Sequence, residues 1–459
     1  MKKIVFVMLL LSIILLWYQW MMYAEDRDET DEEKPLLVVN IVERENRMDV
    51  EQKISHLSSG EYQLILPKGA EKFSCSILDD ASCDIDGDTL TVDESFDDVS
   101  FSFQLPKDDA DLLYFVEPII QLKNINADVK LTLSSRFIED GGWVGSKSPF
   151  FSEQLTNINY VEWEFHSSEP VVLAKINHDY VFNREIGQVQ LYSTAPIDIE
   201  DFSFIEPFKE EPHLMLISSQ NEQLTERGIS VIHHLEKRKI AHSLFKSHLL
   251  TFKQSDEKPL IDAIASYFYN IEVNEQLQQI TNALSNGLNE TEKETWFELL
   301  LGWEDKTTDL ITVLDRTLQK ATGLNTFFFS HYVNQESISP IYGFDDRPII
   351  INGETEEVEW KNIIYQNDHY IPIAGLADLL GFNMLGLNEG NEIFIEFEAN
   401  RYRFFTEGEL FIINEENYRL QENAIVKING EVYIKTMLAS DIFPVHMILS
   451  EDSLEINIE

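Results

Sequence analysis

The stretch "HLEKRKIAHSLFKSH" (234–248) combines histidines with basic residues in a pattern that predicts a helix. A second stretch, "PLIDAIASYF" (259–268), contains Asp262, with nineteen residues between it and His242. Imidazole and carboxylate groups bind divalent metals and move protons in active sites. One helical face cannot complete a tetrahedral metal site, so a third ligand has to come from another element. These two stretches are therefore the first candidates for a functional site.

The spacing of the two stretches has a parallel among zinc peptidases. Peptidases of the HExxH type carry two histidines four residues apart on one helical face, with a glutamate between them that activates water. The pentad 238–242 and the downstream stretch resemble the motifs of aminopeptidase-type gluzincins, in which a glutamate of the next helix is the third ligand. The positions that fit the third-ligand motif are Leu260, Asp262, Ile264, Ala265 and Tyr267.

This resemblance implies a degenerate site. By position, Arg238 stands for the first zinc histidine, Lys239 for the general-base glutamate and His242 for the second histidine. An arginine does not lose its proton to bind zinc, and a lysine both repels the metal and fails as a carboxylate base. We therefore expect no catalytic, metal-binding or cofactor-binding residue here, and a chain that is not an enzyme.

Two interpretations of the basic helix remain open at this stage. In the first, the cation of residue 238 or 239 pairs with Asp262 and holds the two helices together in place of a metal. In the second, the stretch is an ordinary amphipathic helix whose basic side chains face solvent or the protein's own acids.

The composition limits the partners. The chain has 459 residues and a formal net charge of −46, from 35 Lys+Arg against 81 Asp+Glu. Such a surface repels phosphate backbones, so nucleic acid is excluded as a partner. A hydrophobic content of 44% is enough for packed cores, and the length allows several domains.

The amino terminus predicts a membrane helix. An apolar run from Ile4 to Tyr23 follows two lysines and precedes the acidic stretch "AEDRDETDEEK" (24–34). Its length suits one bilayer crossing, and the positive flank stays cytoplasmic. We expect an uncleaved signal anchor over 1–24 and an acidic linker over 25–35, which places the bulk of the chain outside the cell membrane of a bacterium. The alternative is a cleaved signal peptide and a secreted protein.

The only cysteines, Cys75 and Cys83, fall in this exported part. The stretch around them alternates like a strand, so a local disulfide across a hairpin is possible, and free thiols are the alternative.

The patterning predicts a multidomain α+β chain. Short alternating runs over 36–211 predict an all-β sandwich or saddle module. Helical spacing over 212–335 predicts a mainly helical, gluzincin-like module, with one helix from near Leu224 to about Phe252. A short linker over 336–346 then leads to a second β-rich region, 347–459.

The carboxy-terminal region contains an internal repeat. "HYIPIAGLADLLGF" (369–382) and "VYIKTMLASDIF" (432–443) each predict a strand followed by a short helix. The first copy resembles the stalk domain named after the amino-terminal domain of copper amine oxidases. That resemblance implies a small α+β domain that acts as a spacer or contact surface and has no copper site.

Together these features predict a membrane-anchored binding or scaffold protein of a bacterial cell envelope, a pseudo-peptidase without catalysis. Its groove is expected to hold an extended peptide or an envelope protein, gripped by edge-strand pairing. The alternatives are an active metallopeptidase with unusual ligands and a purely structural spacer at the cell surface.

Overall fold

A computed structural model describes residues 34–458, except for 78–80, 94–97, 108–111, 124, 196, 198–200, 220–222, 234–235, 254–256, 336–337, 388–390, 398, 407–409 and 420–423. The chain divides into two compact units, Met1–Leu235 and Glu236–Glu459. The predicted anchor, 1–24, and residues 25–33 of the predicted linker lie outside the described residues. Within the described part, no helix has the length and apolar character needed to cross a membrane.

The first unit begins with fifteen strands, most of which contribute to one apolar core. They are β1 (Leu36–Glu43), β2 (Arg47–Ser55), β3 (Gly60–Ile65), β4 (Glu71–Ile77), β5 (Ala81–Ser82), β6 (Asp84–Asp86), β7 (Thr89–Val92), β8 (Val99–Pro106), β9 (Leu113–Val116), β10 (Gln121–Leu122), β11 (Asp128–Ser135), β12 (Gly142–Gly145), β13 (Phe151–Leu155), β14 (Ile158–His166) and β15 (Val172–Ile176).

These strands form three sheets, in the orders β13-β14-β11-β1-β2-β8-β4-β5, β10-β3-β7-β6 and β12-β15-β9. The alternation seen in the sequence explains the burial, because every second residue of β1 and β2 points into the core. The expectation of a β-rich amino-terminal part is confirmed.

The rest of the first unit is one five-stranded sheet. Its strands are β16 (Val181–Ile186), β17 (Val189–Ser193), β18 (His213–Ile217), β19 (Leu224–Glu226) and β20 (Ile229–Ile232), in the order β16-β17-β18-β20-β19. The predicted helix start near Leu224 is wrong, because β19 and β20 form a hairpin there. Gly228, with a φ of 75°, makes the turn, and the residues of β20 are all buried. When every residue of a short β-branched run is buried, the sequence shows neither the period of a strand nor that of a helix, so it does not distinguish the two.

The second unit begins with six helices, which confirm a helical middle. They are α1 (Lys237–Leu249), α2 (Lys258–Tyr269), α3 (Glu275–Gly287), α4 (Glu290–Leu301), α5 (Leu310–Thr322) and α6 (Phe328–Gln335). Side-chain caps fix several of the starts: Asn289 forms a capping box with Glu292 at α4, and Asp309 caps α5. The buried carboxylate of Asp315 accepts hydrogen bonds from the backbone of Phe329 and Ser330 at α6.

The unit ends in fourteen strands and two short helices. They are β21 (Gly343–Asp345), β22 (Ile349–Ile351), β23 (Glu354–Glu356), β24 (Asn362–Tyr365), β25 (Asp368–Pro372), α7 (Ile373–Leu380), β26 (Asn383–Leu387), β27 (Glu392–Phe397), β28 (Asn400–Phe405), β29 (Leu410–Ile413), β30 (Glu416–Arg419), β31 (Ile425–Ile428), β32 (Glu431–Lys435), α8 (Thr436–Ile442), β33 (Val445–Leu449) and β34 (Leu454–Ile458).

The two sequence repeats are neighbours in this region. Each is a hairpin followed by a short helix, β24-β25-α7 and β31-β32-α8. The two meet through β25 and β32, which pair antiparallel with Ile371 opposite Ile434. The strands form three sheets, in the orders β21-β24-β25-β32-β31, β23-β22-β34-β33 and β26-β27-β28-β29-β30. The identity of this region as a stalk domain stays a prediction.

Candidate functional site

The facing surfaces of α1 and α2 bring together His242, Lys246, Asp262 and Ser266. His242 Nε2 lies 3.2 Å from Ser266 Oγ, and the ammonium of Lys246 forms an ion pair with the carboxylate of Asp262. Each helix contributes two residues four apart, which share one face. Because the helices run antiparallel, the earlier residue of α1 meets the later residue of α2.

Burial sets the charge state of the imidazole in this cluster. Burial, with a smaller effect from the nearby ammonium of Lys246, lowers the pKa of His242 to about 4. The ring of Tyr269 stands edge-on to the imidazole, with 6.4 Å between ring centroids. At neutral pH His242 is therefore an uncharged imidazole.

The expected ion pair of Asp262 with Arg238 or Lys239 is wrong. Lys239 pairs instead with Glu236 at 3.0 Å, within its own first turn, and Arg238 is exposed. The reason is the register of the helix pair. Lys246 meets Asp262, and Arg238 lies eight residues earlier on α1, about 12 Å away along the axis. In this register the pentad that faces α2 is 242–246, with His242 as its first residue.

A zinc ion does not fit the side chains of this cluster as they stand. One imidazole and one carboxylate are present, and an ammonium group lies against the carboxylate. A catalytic zinc site needs three protein ligands, and a lysine cation repels the metal. Across the described ranges, no group of three or more His, Cys, Asp or Glu side chains could hold a metal. We therefore derive no chemical step through zinc.

A second candidate site, absent from the sequence predictions, is an open cleft of about 590 Å³ in the first unit. Strand β9 forms one wall and the end of β8 another. Ile65 and Leu66 on its rim are 46% and 47% exposed. Apolar walls with a few polar groups are typical of binding sites.

Glu117, at the end of β9, is the unusual residue of this cleft. Its φ of 52° puts a non-glycine residue in the left-handed region, a conformation that costs about 1 kcal/mol or more. Its carboxylate contacts the guanidinium of Arg227. That contact is made by Glu117 Oε1, a buried atom, whereas the buried Nε of Arg227 has no hydrogen-bond partner among the described residues. Glu226 adds a second carboxylate to the lining. Strain and unsatisfied polar atoms together mark functional sites.

Cys75 and Cys83 form a disulfide in the first unit. Their Cα atoms are 5.5 Å apart. Cys75 lies on β4, and Cys83 lies directly after β5, so the bridge joins the two arms of a hairpin. Both cysteines pack against the apolar core and neither lines the cleft, so we assign them no role in binding.

No family model and no curated protein matches the sequence. Several solved structures are similar. Legionella pneumophila aminopeptidase A, in complex with aspartic acid, shares 9% identity at a TM-score of 0.43, over 81% of this chain and 56% of that one. The M1 zinc metallopeptidase from Deinococcus radiodurans shares 10% at 0.33, over 62% and 78%. A two-domain M1 zinc metallopeptidase mutant bound to L-arginine shares 8% at 0.39, over 63% and 92%.

All of these matches have TM-scores below 0.5, so the aminopeptidase-like fold that the motif resemblance implied stays a prediction, and the chain spans little more than half of the Legionella protein. The expectation that the chain is not an enzyme is nevertheless corrected. The neighbours carry the names of an aminopeptidase and of zinc metallopeptidases, which point to an enzyme, and they give no evidence for lost zinc ligands. The assignment as an inactive pseudo-peptidase is therefore withdrawn.

Proposed function

We propose that this chain binds extended peptides in the cleft of its first unit. We also propose that a signal anchor over 1–24 holds it at the outer side of a bacterial cell membrane, as a binding or scaffold protein of the envelope. The support for the location is the apolar run 4–23 between lysines and an acidic stretch. The support for peptide binding is the construction of the cleft.

The single observation that carries peptide binding is an outer strand beside charged groups. In the described part, β9 is the last strand of its sheet and pairs with β15 alone. The N–H of Glu117 donates to Val171 O at 2.7 Å, so the backbone groups of the preceding residue, Val116, point away from β15. An extended peptide can add to such an edge as a further strand.

The charges of the cleft favour a cationic group on that peptide. Glu117 and Glu226 both line it, and the chain as a whole has a net charge of −46, which attracts cations. A peptide ammonium that donates to the carboxylate of Glu117 would add a second, charge-assisted hydrogen bond to the contact that this carboxylate makes with Arg227. The free amino terminus of a peptide supplies such a group next to a backbone that can pair with β9.

The test is calorimetric titration with short peptides that carry either a free or an acetylated amino terminus. We expect the free form to bind about tenfold more tightly, because a hydrogen bond to a charged group contributes about 1.5 kcal/mol. Glu117→Gln should remove most of this difference. The matched control is Glu61→Gln, which changes an exposed carboxylate on β3. Equal affinities for the two forms, or no binding of either, would contradict the proposal.

A second candidate is a peptidase with unusual ligands, favoured by the presence of one imidazole, His242, and one carboxylate, Asp262, on facing helices; a metal there would have to displace the Lys246 ammonium and recruit a further ligand. It is tested by measuring bound zinc in the purified chain and turnover of aminopeptidase substrates. Stoichiometric metal with turnover that His242→Ala abolishes would establish this candidate. Peptide binding without metal or turnover would favour the first.

A further inference from the structure

In the five-stranded sheet β26–β30, strands β27, β28 and β29 have one face in the apolar core of the carboxy-terminal region and one face turned away from it. Residues such as Ile393, Ile395 and Phe404 point into the core. The alternate residues of the same strands point to the opposite face, because side chains alternate along a strand. A concavity of about 890 Å³ lies on that outer face.

The outer face carries an ordered row of side chains across four strands. Leu385 lies opposite Phe394, Phe394 opposite Arg403, and Arg403 opposite Ile412. The row therefore reads aliphatic, aromatic, arginine, aliphatic. In the next row, Glu396 lies opposite Arg401.

This pattern is complementary to itself. A two-fold axis can run parallel to the strands, above the outer face and midway between β27 and β28. Rotation about this axis places β28 of a second copy over β27 of the first, and β29 of the second copy over β26 of the first. A second copy placed by this axis brings its Arg401 over Glu396 and its Arg403 over Phe394. Its Ile412 then meets Leu385. The contacts are an ion pair, a cation–π pair and an aliphatic pair, each made twice.

We propose that this outer face of β26–β30 binds the same face of a second copy of the chain. The proposal is independent of the peptide cleft and of any catalytic activity. Net charge argues for this surface, because two chains of −46 repel each other over most of their surfaces. Here Arg401 and Arg403 balance Glu396 and Glu392, with the two pairs in salt bridges. Arginine and aromatic side chains are also enriched in the centres of protein interfaces.

The size of the face predicts a weak dimer. Five strands spaced about 4.8 Å apart, with about five residues each, cover roughly 400 Å² per copy. This area is below that of stable complexes, which bury about 800 Å² per partner, so association is expected in the micromolar range. The measurement therefore has to extend to about 300 µM protein.

The test is sedimentation equilibrium of the full chain in a density-matched nonionic detergent at about 0.15 M salt, where surface charges are screened beyond about 8 Å. We expect a monomer–dimer equilibrium in the wild type. Arg401→Glu and Glu396→Arg should each weaken it at least about tenfold, because each places two like-charge pairs across the axis. The double exchange should restore the affinity to within about threefold.

Folding does not confound this test. Arg401 and Glu396 have side chains that are 70% and 54% exposed, so their own salt bridge contributes little to stability. Circular dichroism of each variant checks that point. Arg47→Glu is the matched control, since it makes the same charge change at an exposed arginine of the first unit. A chain that stays monomeric at all concentrations would overturn the proposal, as would a dimer unaffected by both single exchanges.

Discussion

Two of the partly buried ion pairs in the described part of the chain, one in each unit, differ in what surrounds them. Lys246–Asp262 joins α1 to α2, with side chains 18% and 35% exposed; Arg227–Glu117 borders the cleft of the first unit, at 29% and 24%. The exposed fractions of the side chains are therefore similar in the two ion pairs. In the helical pair the backbone is regular, and the neighbouring His242 and Ser266 bond to each other. In the cleft pair, Glu117 has a left-handed backbone, and the buried Nε of Arg227 has no hydrogen-bond partner among the described residues.

This difference separates a stabilising contact from a binding one. A satisfied pair on regular helices gains nothing from a ligand, since an incoming group would have to displace an existing partner. A strained and incompletely satisfied pair gains hydrogen bonds when a ligand arrives. We therefore assign the helical pair to stability and the cleft pair to recognition, although the sequence motifs pointed to the helices.

The largest expected effect is the loss of the helical pair. Asp262→Ala leaves the Lys246 ammonium without its carboxylate at an 18% exposed position. Removing one partner of a fully buried pair costs about 3–5 kcal/mol, and the partial exposure here reduces our expectation to about 2 kcal/mol. The measurement is the free energy of opening of α1 and α2, obtained from hydrogen exchange of their amides.

Replacing both members of the pair provides the control. Lys246→Met combined with Asp262→Leu removes the two charges together, so no unpaired ion remains and most of the lost stability should return. If the single variant exchanged its amides at the wild-type rate, the pair would have no stabilising role and the contrast with the cleft would fail.

The next effect is that the stability of the same helices depends on pH. Burial lowers the pKa of His242 from 6.5 to about 4, so the unfolded state binds a proton more readily than the folded state. The contribution of His242 to stability is therefore fully present above about pH 6.5, and it is lost as the pH falls toward 4. Between pH 7.5 and 5 the opening free energy of α1 should fall by about 2 kcal/mol from this group.

His242→Gln isolates this contribution, because glutamine can still bond to Ser266 and does not titrate. In this variant, the opening free energy of α1 should differ much less between pH 7.5 and pH 5, because most of the difference of about 2 kcal/mol comes from His242. His213 in the first unit is buried and also has a lowered pKa, about 3. The pH dependence of global unfolding would therefore combine the contributions of both histidines. Amide exchange of α1 alone avoids this, and an identical pH dependence in wild type and variant would refute the assignment.

The sequence predicted the order of β-rich and helical regions, because periods of two and 3.6 are visible in single segments. It also placed His242 and Asp262 in one candidate site, and the two residues lie on the facing helices α1 and α2. It did not predict which turn of α1 meets Asp262, since spacing within a helix leaves its register against the next helix open. Glu117 carried no signal at all, because neither a left-handed φ nor a position on a cleft wall is encoded in residue type alone.

The smallest expected effect tests the strain at Glu117. Glu117→Gly and Glu117→Ala both remove the carboxylate and its contact with Arg227, so they differ only in the backbone. In most positions alanine is the more stable of the two by about 0.5–1 kcal/mol. At a φ of 52° the order should reverse, with the glycine variant more stable by about 1 kcal/mol, because glycine adopts this conformation without strain.

Both variants should bind free-amine peptides about as weakly as each other, because the carboxylate is absent from both. Chemical denaturation measures the stability difference, and calorimetric titration measures the affinity. A cleft residue whose glycine variant is more stable than its alanine variant, yet binds no better, would show that the strained backbone serves to place the carboxylate for the ligand. If alanine proves the more stable replacement, Glu117 is unstrained, and the cleft pair is then no more specialised for binding than the pair between the helices.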